Sequence, residues 1–308
     1  MQKDSTILVF GGAGFIGTSL VLELLNRGYT SIWVGDIKPI DIKPIENSDR
    51  VTYVPCDIMD EQSIQTLFAK SQPKAVYNLA GFANLDTAIR YPKRTMELNV
   101  ISNLNILDAS LKFGTKLFIY ASSAYAMSEK GSFYGISKLT SEKLVEEYAK
   151  QFGIDYAILR YGSIYAAADF ENNYLFNLVK TALRDGKIVH EGDGEEVREY
   201  VHVKDVSELS VKVMENPKLW NSALMLTGNE RMKRRELFEM IKEIIGNSEL
   251  EINLLDGGYT DHYRFTPYSF RGTSAKKITA NPHFDLGQGI LDCVHKALEV
   301  IDKEEDDG

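Results

Sequence analysis

Tyr134 and Lys138, in the segment YGISK, are the two side chains whose types and spacing best fit acid–base chemistry. Residues four apart on a helix lie on one face, so the phenol and the ammonium can share a pocket. A free tyrosine has a pKa of about 10 and is a poor base at neutral pH. A nearby cation stabilises the phenolate and lowers that pKa. The same spacing also occurs by chance in pairs on helix surfaces.

Two hydroxyl residues follow an apolar run upstream of this pair. The run Leu117–Ala121 has the character of a buried strand and ends in Ser122 and Ser123. Ligands of open parallel sheets bind outside the carboxyl ends of the strands. We therefore expect Ser123, Tyr134 and Lys138 to meet at one site.

A glycine-rich segment, GGAGFIG at 11–17, follows the first apolar run and opens the first helical pattern. Gly11, Gly14 and Gly17 would give a tight turn, a close approach to a pyrophosphate and close packing of helix on strand. The free N–H groups of the helix N-terminus would then face the ligand's negative charge. The segment predicts a dinucleotide-binding loop.

Asp36 ends the second predicted strand, about 20 residues after the last of these glycines. A carboxylate at this point binds the ribose hydroxyls and repels a 2′-phosphate, which favours NAD over NADP. Lys38 lies close by and could recruit that phosphate. The alternative for Asp36 is a solvated loop carboxylate.

Strand and helix patterns alternate through the first half of the chain, which predicts an α/β fold: a doubly wound parallel sheet with a smaller, mixed C-terminal substrate lobe. We expect a dinucleotide-binding domain at 1–165 and a substrate lobe at 166–308, with the segment near 197–220 returning to the first domain. The predicted strands are Thr6–Phe10, Ser31–Asp36, Val51–Val54, Ala75–Leu79, Leu117–Ala121 and Tyr156–Arg160. The predicted helices are Gly14–Arg27, Glu61–Lys70, Pro92–Phe113, Ser137–Phe152, Tyr174–Arg184, Val203–Glu215, Arg234–Ile245 and Gly287–Ile301.

Composition excludes several other classes of protein. The 308 residues carry 35 basic and 44 acidic side chains, a net charge of −9 that argues against nucleic-acid binding. Cys56 and Cys293 form no disulfide framework, which favours a reduced, cytoplasmic protein. No apolar stretch predicts a signal peptide or a membrane helix. The five histidines lack the spacing of metal ligands, so we expect no metal.

Taken together, the motifs make the chain resemble the extended short-chain dehydrogenase/reductase superfamily, in its NAD-dependent nucleotide-sugar epimerase/dehydratase branch. The resemblance covers nearly the whole chain. Its motifs are GGAGFIG at 11–17, Asp36, CDI at 56–58, NLAG at 78–81, Asn99, YASSA at 120–124, YGISK at 134–138, LRYGSIY at 159–165, GDG at 192–194 and REYVHVKDV at 198–206.

The resemblance implies roles for individual residues. Tyr134 would be the acid/base, Lys138 its electrostatic partner and a ligand of the nicotinamide ribose, and Ser123 the hydroxyl that binds the reacting oxygen. The implied cofactor is NAD, and the implied contacts are Gly11, Gly14, Phe15, Ile16, Gly17, Asp36, Ile37, Lys38, Asp57, Ile58, Leu79, Ala80, Gly81 and Asn99.

The implied partner is a nucleotide-diphosphate sugar. Arg198 resembles the arginine that pairs with a nucleotide phosphate, and its alternative is an ion pair with Glu195, Glu196 or Glu199. The other implied substrate contacts are Ser163, Asn173 and Arg264, with Arg271 as the alternative to Arg264.

Three departures from the family bear on the substrate. Ala124 and Tyr125 replace the Asp-Glu pair of the dehydratases, which argues against 4,6-dehydration. The loop between Ser123 and Tyr134 is short, and Gly272 stands where relatives carry Asp.

The resulting hypothesis is a nucleotide-sugar 4-epimerase that works through a transient 4-keto sugar. The alternatives are an NAD(P)H-dependent reductase of a 4-keto sugar nucleotide, a sugar-acid decarboxylase and a non-catalytic NAD-binding redox sensor. The resemblance also implies a homodimer through Pro92–Phe113 and Ser137–Phe152, whose apolar residues include Leu104, Leu107, Leu139 and Leu144. The same leucines could instead face the sheet.

Overall fold

The first strand shows why the chain builds a sheet that is covered on both faces. In the computed structural model, which describes residues 1–171, 173–229, 231–256, 262, 264–265 and 276–306, Ile7 and Val9 belong to one apolar cluster. Leu8 and Phe10 belong to the other, and all four are fully buried. A strand that is apolar on both faces belongs to a parallel sheet between two layers of helices.

The described strands supply one large sheet and three small ones. They are β1 Ile7–Phe10, β2 Ile32–Asp36, β3 Val51–Pro55, β4 Ala75–Asn78, β5 Leu117–Ser123, β6 Asp155–Tyr161, β7 Ser163–Tyr165, β8 Lys187–Glu191, β9 Val197–Arg198, β10 Tyr200–His202, β11 Ser222–Leu226, β12 Met232–Lys233, β13 Glu251–Leu255 and β14 Lys276–Ile278.

The large sheet has eight described strands in the order β3-β2-β1-β4-β5-β6-β11-β14, and every neighbouring pair is parallel. The strand order reverses between β1 and β4, which opens a crevice at their carboxyl ends. The predicted doubly wound parallel sheet is confirmed. The small sheets pair β7 with β10, β9 with β12 and β8 with β13.

Some of the described helices cover both faces of the large sheet, and others pack in a separate cluster. The described helices are α1 Phe15–Asn26, α2 Lys43–Glu46, α3 Glu61–Ser71, α4 Leu85–Arg90, α5 Pro92–Met96, α6 Ser102–Lys112, α7 Ser132–Phe152, α8 Tyr174–Asp185, α9 Val203–Glu215, α10 Arg234–Ile245 and α11 Leu286–Asp306. The helices α1 and α9 share one apolar cluster with the sheet, and α3, α6 and α7 share the other.

Late segments of the chain complete the large sheet and its covering layer. The strands β11 and β14 extend the sheet beyond β6, and α9 packs against α1. Tyr77 of β4 donates a hydrogen bond to the carbonyl of Ser210 in α9, and the hydroxyls of Tyr161 and Ser210 lie 3.1 Å apart. The helices α8, α10 and α11 form a separate apolar cluster with β8.

The predicted continuous helix over 92–113 is wrong. The helix α5 ends at Met96, a wider π-helical turn spans Glu97–Ile101, and α6 follows. The turn carries Asn99, whose side chain binds the backbone of Phe82, so the irregular turn aims a polar side chain at the adjacent loop. Among the described helices, none is long and apolar enough to cross a bilayer.

Candidate active site

A cavity of about 630 Å³ lies at the carboxyl ends of the central strands. It follows from the parallel sheet, since the loops after β1, β2, β4, β5 and β6 open at the same edge. Most residues singled out from the sequence meet in its lining, namely Gly11, Gly14, Phe15, Ile16, Gly17, Asp36, Ile37, Asp57, Ile58, Leu79, Ala80, Gly81, Ser123, Tyr134 and Lys138.

The glycine turn brings backbone to backbone at two places. Gly11 has a φ of +74°, and a Cβ there would lie 2.8 Å from the Ala80 nitrogen. A Cβ on Gly17 would lie 2.1 Å from the Gly11 oxygen, so a side chain would push α1 away from the turn. Gly14 precedes α1 and provides no side-chain cap for its first N–H groups. The turn therefore fits a dinucleotide pyrophosphate at the helix N-terminus.

Asp36 is fixed beside this turn by the backbone. Its Oδ2 accepts a hydrogen bond from the Ala13 nitrogen at 3.0 Å, and its Oδ1 accepts one from the Lys38 nitrogen at 3.1 Å. The carboxylate lines the cavity, whereas Lys38 is an exposed residue outside the lining. This geometry presents an anion to the ribose and fits NAD better than a 2′-phosphate.

Asn99 lies behind the wall of the cavity. It is buried, its Oδ1 accepts from the Phe82 nitrogen at 2.7 Å, and its Nδ2 donates to Ser137 Oγ at 2.8 Å. A Cβ on Gly81 would lie 2.4 Å from Asn99 Oδ1. Asn99 thus supports the loop that lines the cavity, and it joins that loop to α7.

Tyr134 and Lys138 lie on one buried face at the start of α7. Lys138 Nζ lies 5.9 Å from the centre of the Tyr134 ring and donates a hydrogen bond to the Ala121 carbonyl at 2.9 Å. Burial lowers the pKa of Lys138 to about 8. An ammonium with this pKa is mostly charged at neutral pH, beside a phenol that needs a cation to ionise.

Ser123 ends β5 at the same edge of the cavity. Its Oγ accepts a hydrogen bond from the Tyr125 nitrogen at 3.2 Å, which starts a short 3₁₀ turn over Ala124–Met127. This turn and the strand end fix the position of the serine in the cavity lining. Ser123, Tyr134 and Lys138 therefore line a single cavity with the dinucleotide turn.

Sequence reasoning missed a contact beside Tyr134. The ring of Tyr125 meets that of Tyr134 edge-on at 6.0 Å, and the Tyr125 hydroxyl lies within hydrogen-bonding distance of His262 Nδ1. Burial is the main reason that the pKa of His262 falls to about 4, with Arg234, Arg198 and His190 adding to the effect. The loss of the acidic pair at 124–125 marked this place in the sequence, but no local signal pointed to His262.

Of the six predicted substrate residues, Ser123 and Tyr134 line this cavity, and four lie outside its lining: Ser163, Asn173, Arg198 and Arg264. Ser163 pairs with Tyr200 between β7 and β10, next to lining residues on both sides. Asn173 is buried and donates to the carbonyls of Ala166 and Ala168, both at 2.7 Å. It thereby fixes the loop between β7 and α8.

The two arginines of this set differ in exposure. Arg198 is buried in β9, whereas the Arg264 side chain is 63% exposed and lies 3.5 Å from Asp193. Their segments join through a hydrogen bond from the Val197 nitrogen to the Arg264 carbonyl. Arg271 and Gly272 fall outside the described residues.

The three glutamates considered as partners of Arg198 each bond another basic side chain. Glu195 pairs with Lys233 and Arg235, Glu196 lies 3.2 Å from His190, and Glu199 pairs with Arg231 and Lys277.

The fold and this cavity define a class: a dinucleotide-binding α/β protein with a tyrosine and a lysine side by side in the lining of its cavity. The profile of the NAD dependent epimerase/dehydratase family matches residues 7–223. The chain belongs to that family, and its cofactor is NAD.

Named relatives and solved structures agree with this assignment. The chain is 26% identical over 258 residues to a putative UDP-glucose 4-epimerase of Methanocaldococcus jannaschii, covering 78% of this chain and 82% of the relative. It is 26% identical to UDP-glucose 4-epimerase of Bacillus subtilis, covering 68% and 72%. The structure of UDP-glucose 4-epimerase from Thermotoga maritima with UDP-glucose is similar, with a TM-score of 0.81, 27% identity and coverage of 96% and 99%.

Proposed function

We propose that this protein is a nucleotide-sugar 4-epimerase that acts through a transient 4-keto sugar. The observation that carries the proposal is that Tyr134 and Lys138 line the same cavity as the glycine turn. This arrangement lets the hydroxyl proton and the C4 hydride of the sugar leave together, the proton from the oxygen and the hydride from the carbon. The 4-epimerases among the relatives support the choice of reaction.

In this proposal Tyr134 moves the proton. The Lys138 ammonium stabilises the Tyr134 phenolate, which takes the proton of the sugar 4-hydroxyl while Ser123 donates a hydrogen bond to the same oxygen. NAD held at the glycine turn would supply the acceptor for the C4 hydride and, in its reduced form, the donor for the return. The 4-keto sugar rotates in the pocket, so the hydride returns to the opposite face of C4, and Tyr134 then restores the proton to the oxygen.

We also propose which parts of the chain bind the cofactor and which bind the substrate. Residues 1–165 bind the cofactor, with the twelve of the fourteen predicted contacts that line the cavity, and residues 166–308 bind the nucleotide sugar. Arg198 supplies the charge that pairs with a phosphate, and Arg264 supplies a second, more exposed cation. Asn173 and Ser163 position the loops around the diphosphate.

The test is incubation of the purified protein with a panel of UDP-sugars, including UDP-glucose, UDP-galactose and UDP-N-acetylglucosamine. We expect NMR to detect the 4-epimer of at least one of them, with no net consumption of NADH. Turnover of a 4-keto sugar with stoichiometric NADH oxidation would instead identify a reductase. Bound NAD without turnover of any UDP-, dTDP-, GDP- or CDP-sugar would contradict the proposal.

We propose that the protein is a cytoplasmic homodimer that associates through α7 and the neighbouring π turn. Ile101, Ile136 and Leu139 are 46%, 54% and 37% exposed on these elements, which is typical of a covered apolar face. Leu107, considered for this face from the sequence, is instead fully buried against the sheet. Sedimentation equilibrium should give twice the chain mass of 34.7 kDa, and Leu139→Glu should reduce it to one chain.

A further inference from the structure

A buried ion pair lies directly behind the catalytic face of α7. Glu142 follows Lys138 by one helical turn, and the Glu142 and Arg160 side chains are 0% and 1% exposed. Arg160 of β6 donates from Nε to Glu142 Oε1 at 2.8 Å and from Nη2 to Oε2 at 2.6 Å. Ser122 donates to Oε1 at 2.5 Å. One carboxylate therefore ties α7 to the ends of β5 and β6.

These contacts reach the catalytic residues through one strand end. Ser122 precedes Ser123, and both line the cavity. The carbonyl of Ala121, the residue before Ser122, accepts the hydrogen bond from Lys138. At the end of β5, Ala121 thus binds the Lys138 ammonium and the next residue, Ser122, binds the Glu142 carboxylate.

Stability alone explains this pair poorly. Removing two charges from water costs several kcal/mol for each ion, so well-packed apolar residues in place of a buried pair are often as stable. In a buried site each charge also acts strongly on its neighbours. The negative charge of Glu142 therefore bears on the ionisation of Lys138, which lies one helical turn away.

The groups around Lys138 come from three elements. Burial lowers the pKa of Lys138, whereas the negative charge of Glu142 raises it. The neutral amide of Asn99 faces α7 from the π turn, where the Glu97 carboxylate instead pairs with Arg94. The titratable or charged groups near Lys138 are Tyr134 and Glu142 of α7 and Tyr120 of β5, and Arg160 of β6 is joined to this set through its ion pair with Glu142.

We propose that Glu142 and Arg160 are positioning residues whose balanced charges keep the Tyr134–Lys138 pair in its working protonation state. The inference rests on the proposed acid–base role of Tyr134. Loss of Glu142 alone leaves the Arg160 cation behind the site, which favours phenolate and disfavours ammonium. Loss of Arg160 alone leaves an anion, with the opposite effects. Loss of both restores the balance.

The experiment is a double-mutant cycle with Glu142→Gln, Arg160→Gln and the double variant. Glutamine at position 160 leaves the carboxylate a hydrogen-bond donor besides Ser122. The pKa of the Tyr134 phenol is read from near-ultraviolet tyrosinate absorbance of the purified, substrate-free protein. Each variant is compared with the same variant carrying Tyr134→Phe, so the difference reports this phenol.

Opposite signs are the expected result. Glu142→Gln should lower the pKa of Tyr134 by up to about one unit, the scale of an unbalanced charge about 12 Å, or two helical turns, from position 134. Arg160→Gln should raise it, and the double variant should return close to the native value. Ser122→Ala, which keeps both charges, should leave the value within a few tenths of a unit of native.

Two outcomes would overturn the inference: single variants whose pKa values do not move in opposite directions, or a double variant further from native than either single. If Glu142→Gln does not fold, the pKa of Tyr134 in Arg160→Gln tests the inference: a rise supports it, and no rise overturns it. The phenol titration needs no substrate, so these results do not depend on the epimerase assay. The expected shifts in a protein that epimerises no sugar would contradict the proposed function alone.

Discussion

The cofactor side and the substrate side of the protein are built in different ways. The cofactor side consists of strand ends and the turns after them, with backbone groups such as those of Gly11 and Ala13 forming much of the surface. The predicted substrate residues lie on short strands and loops, and Arg198 and Asn173 are buried outside the cavity lining. A binding surface made of backbone turns can be read from local motifs, whereas one assembled from distant side chains cannot.

The largest expected effect is the loss of turnover when the proposed acid–base group, which lies between the cofactor side and the substrate side, is removed. Tyr134→Phe keeps the ring and removes the proton carrier, so kcat for 4-epimerisation should fall by about 10²–10⁴-fold. Steady-state assays of the best UDP-sugar measure it. Tyr148→Phe is the matched control, because its phenol lies on the same helix and bonds Asp108 away from the cavity. Full activity in Tyr134→Phe would break the catalytic assignment.

The next effect belongs to the cofactor side alone. Gly17→Ala places a methyl group 2.1 Å from the Gly11 oxygen. Overpacking of this kind costs about 1–3 kcal/mol, which should weaken NAD binding roughly 10- to 100-fold. Calorimetric titration with NAD measures the change. Gly28→Ala, just after the other end of α1, is the control: its φ of +82° makes alanine cost stability, but a Cβ there meets nothing within 4 Å, so NAD affinity should not change. An equal loss of NAD affinity in this variant would refute the argument.

A smaller effect should belong to the substrate side alone. Arg198→Gln removes a buried cation, and we expect KM for the nucleotide sugar to rise about tenfold, the scale of one hydrogen bond to a charged group. NAD affinity should stay the same. Arg264→Ala removes an exposed cation and should change KM less than threefold, as surface ion pairs contribute little. Equal effects of the two variants would contradict the contrast between the arginines.

The smallest expected effect is a pH dependence: as the pH rises above about 8, the reaction rate should fall while the contribution of Lys138 to stability rises. Because burial lowers the pKa of Lys138 to about 8 from 10.5, the ammonium is lost above about pH 8, and the rate should fall there. The unfolded chain binds more protons than the folded chain between these two values, so the contribution of Lys138 to stability rises with pH. Denaturant unfolding of the native chain and Lys138→Met at pH 8 and pH 10 tests this. Native stability that rises no faster than that of the variant would contradict it.

Much of the cofactor side could be predicted because each motif is local. The first strand, the glycine turn and α1 are consecutive, and Tyr134 and Lys138 share a helix face over one turn. The interruption at Glu97–Ile101 was missed, since the bond between Asn99 and Phe82 depends on a contact seventeen residues away. Tyr125 and His262 are in contact although they are 137 residues apart, and the periodicity of hydrophobic residues does not indicate such a contact.

The position of α9 limits how this protein can be divided. Its apolar residues Val206, Leu209 and Val213 close the same cluster that Ile7 and Val9 begin. A fragment ending near residue 165 would hold every glycine of the turn and Tyr134, yet it would lack α9 and leave only α1 of these two helices to cover that face of the sheet. Such a fragment should aggregate, and supplying the remainder of the chain in trans should rescue its solubility. Evolution could therefore exchange loops around the sugar more readily than it could exchange the whole second half.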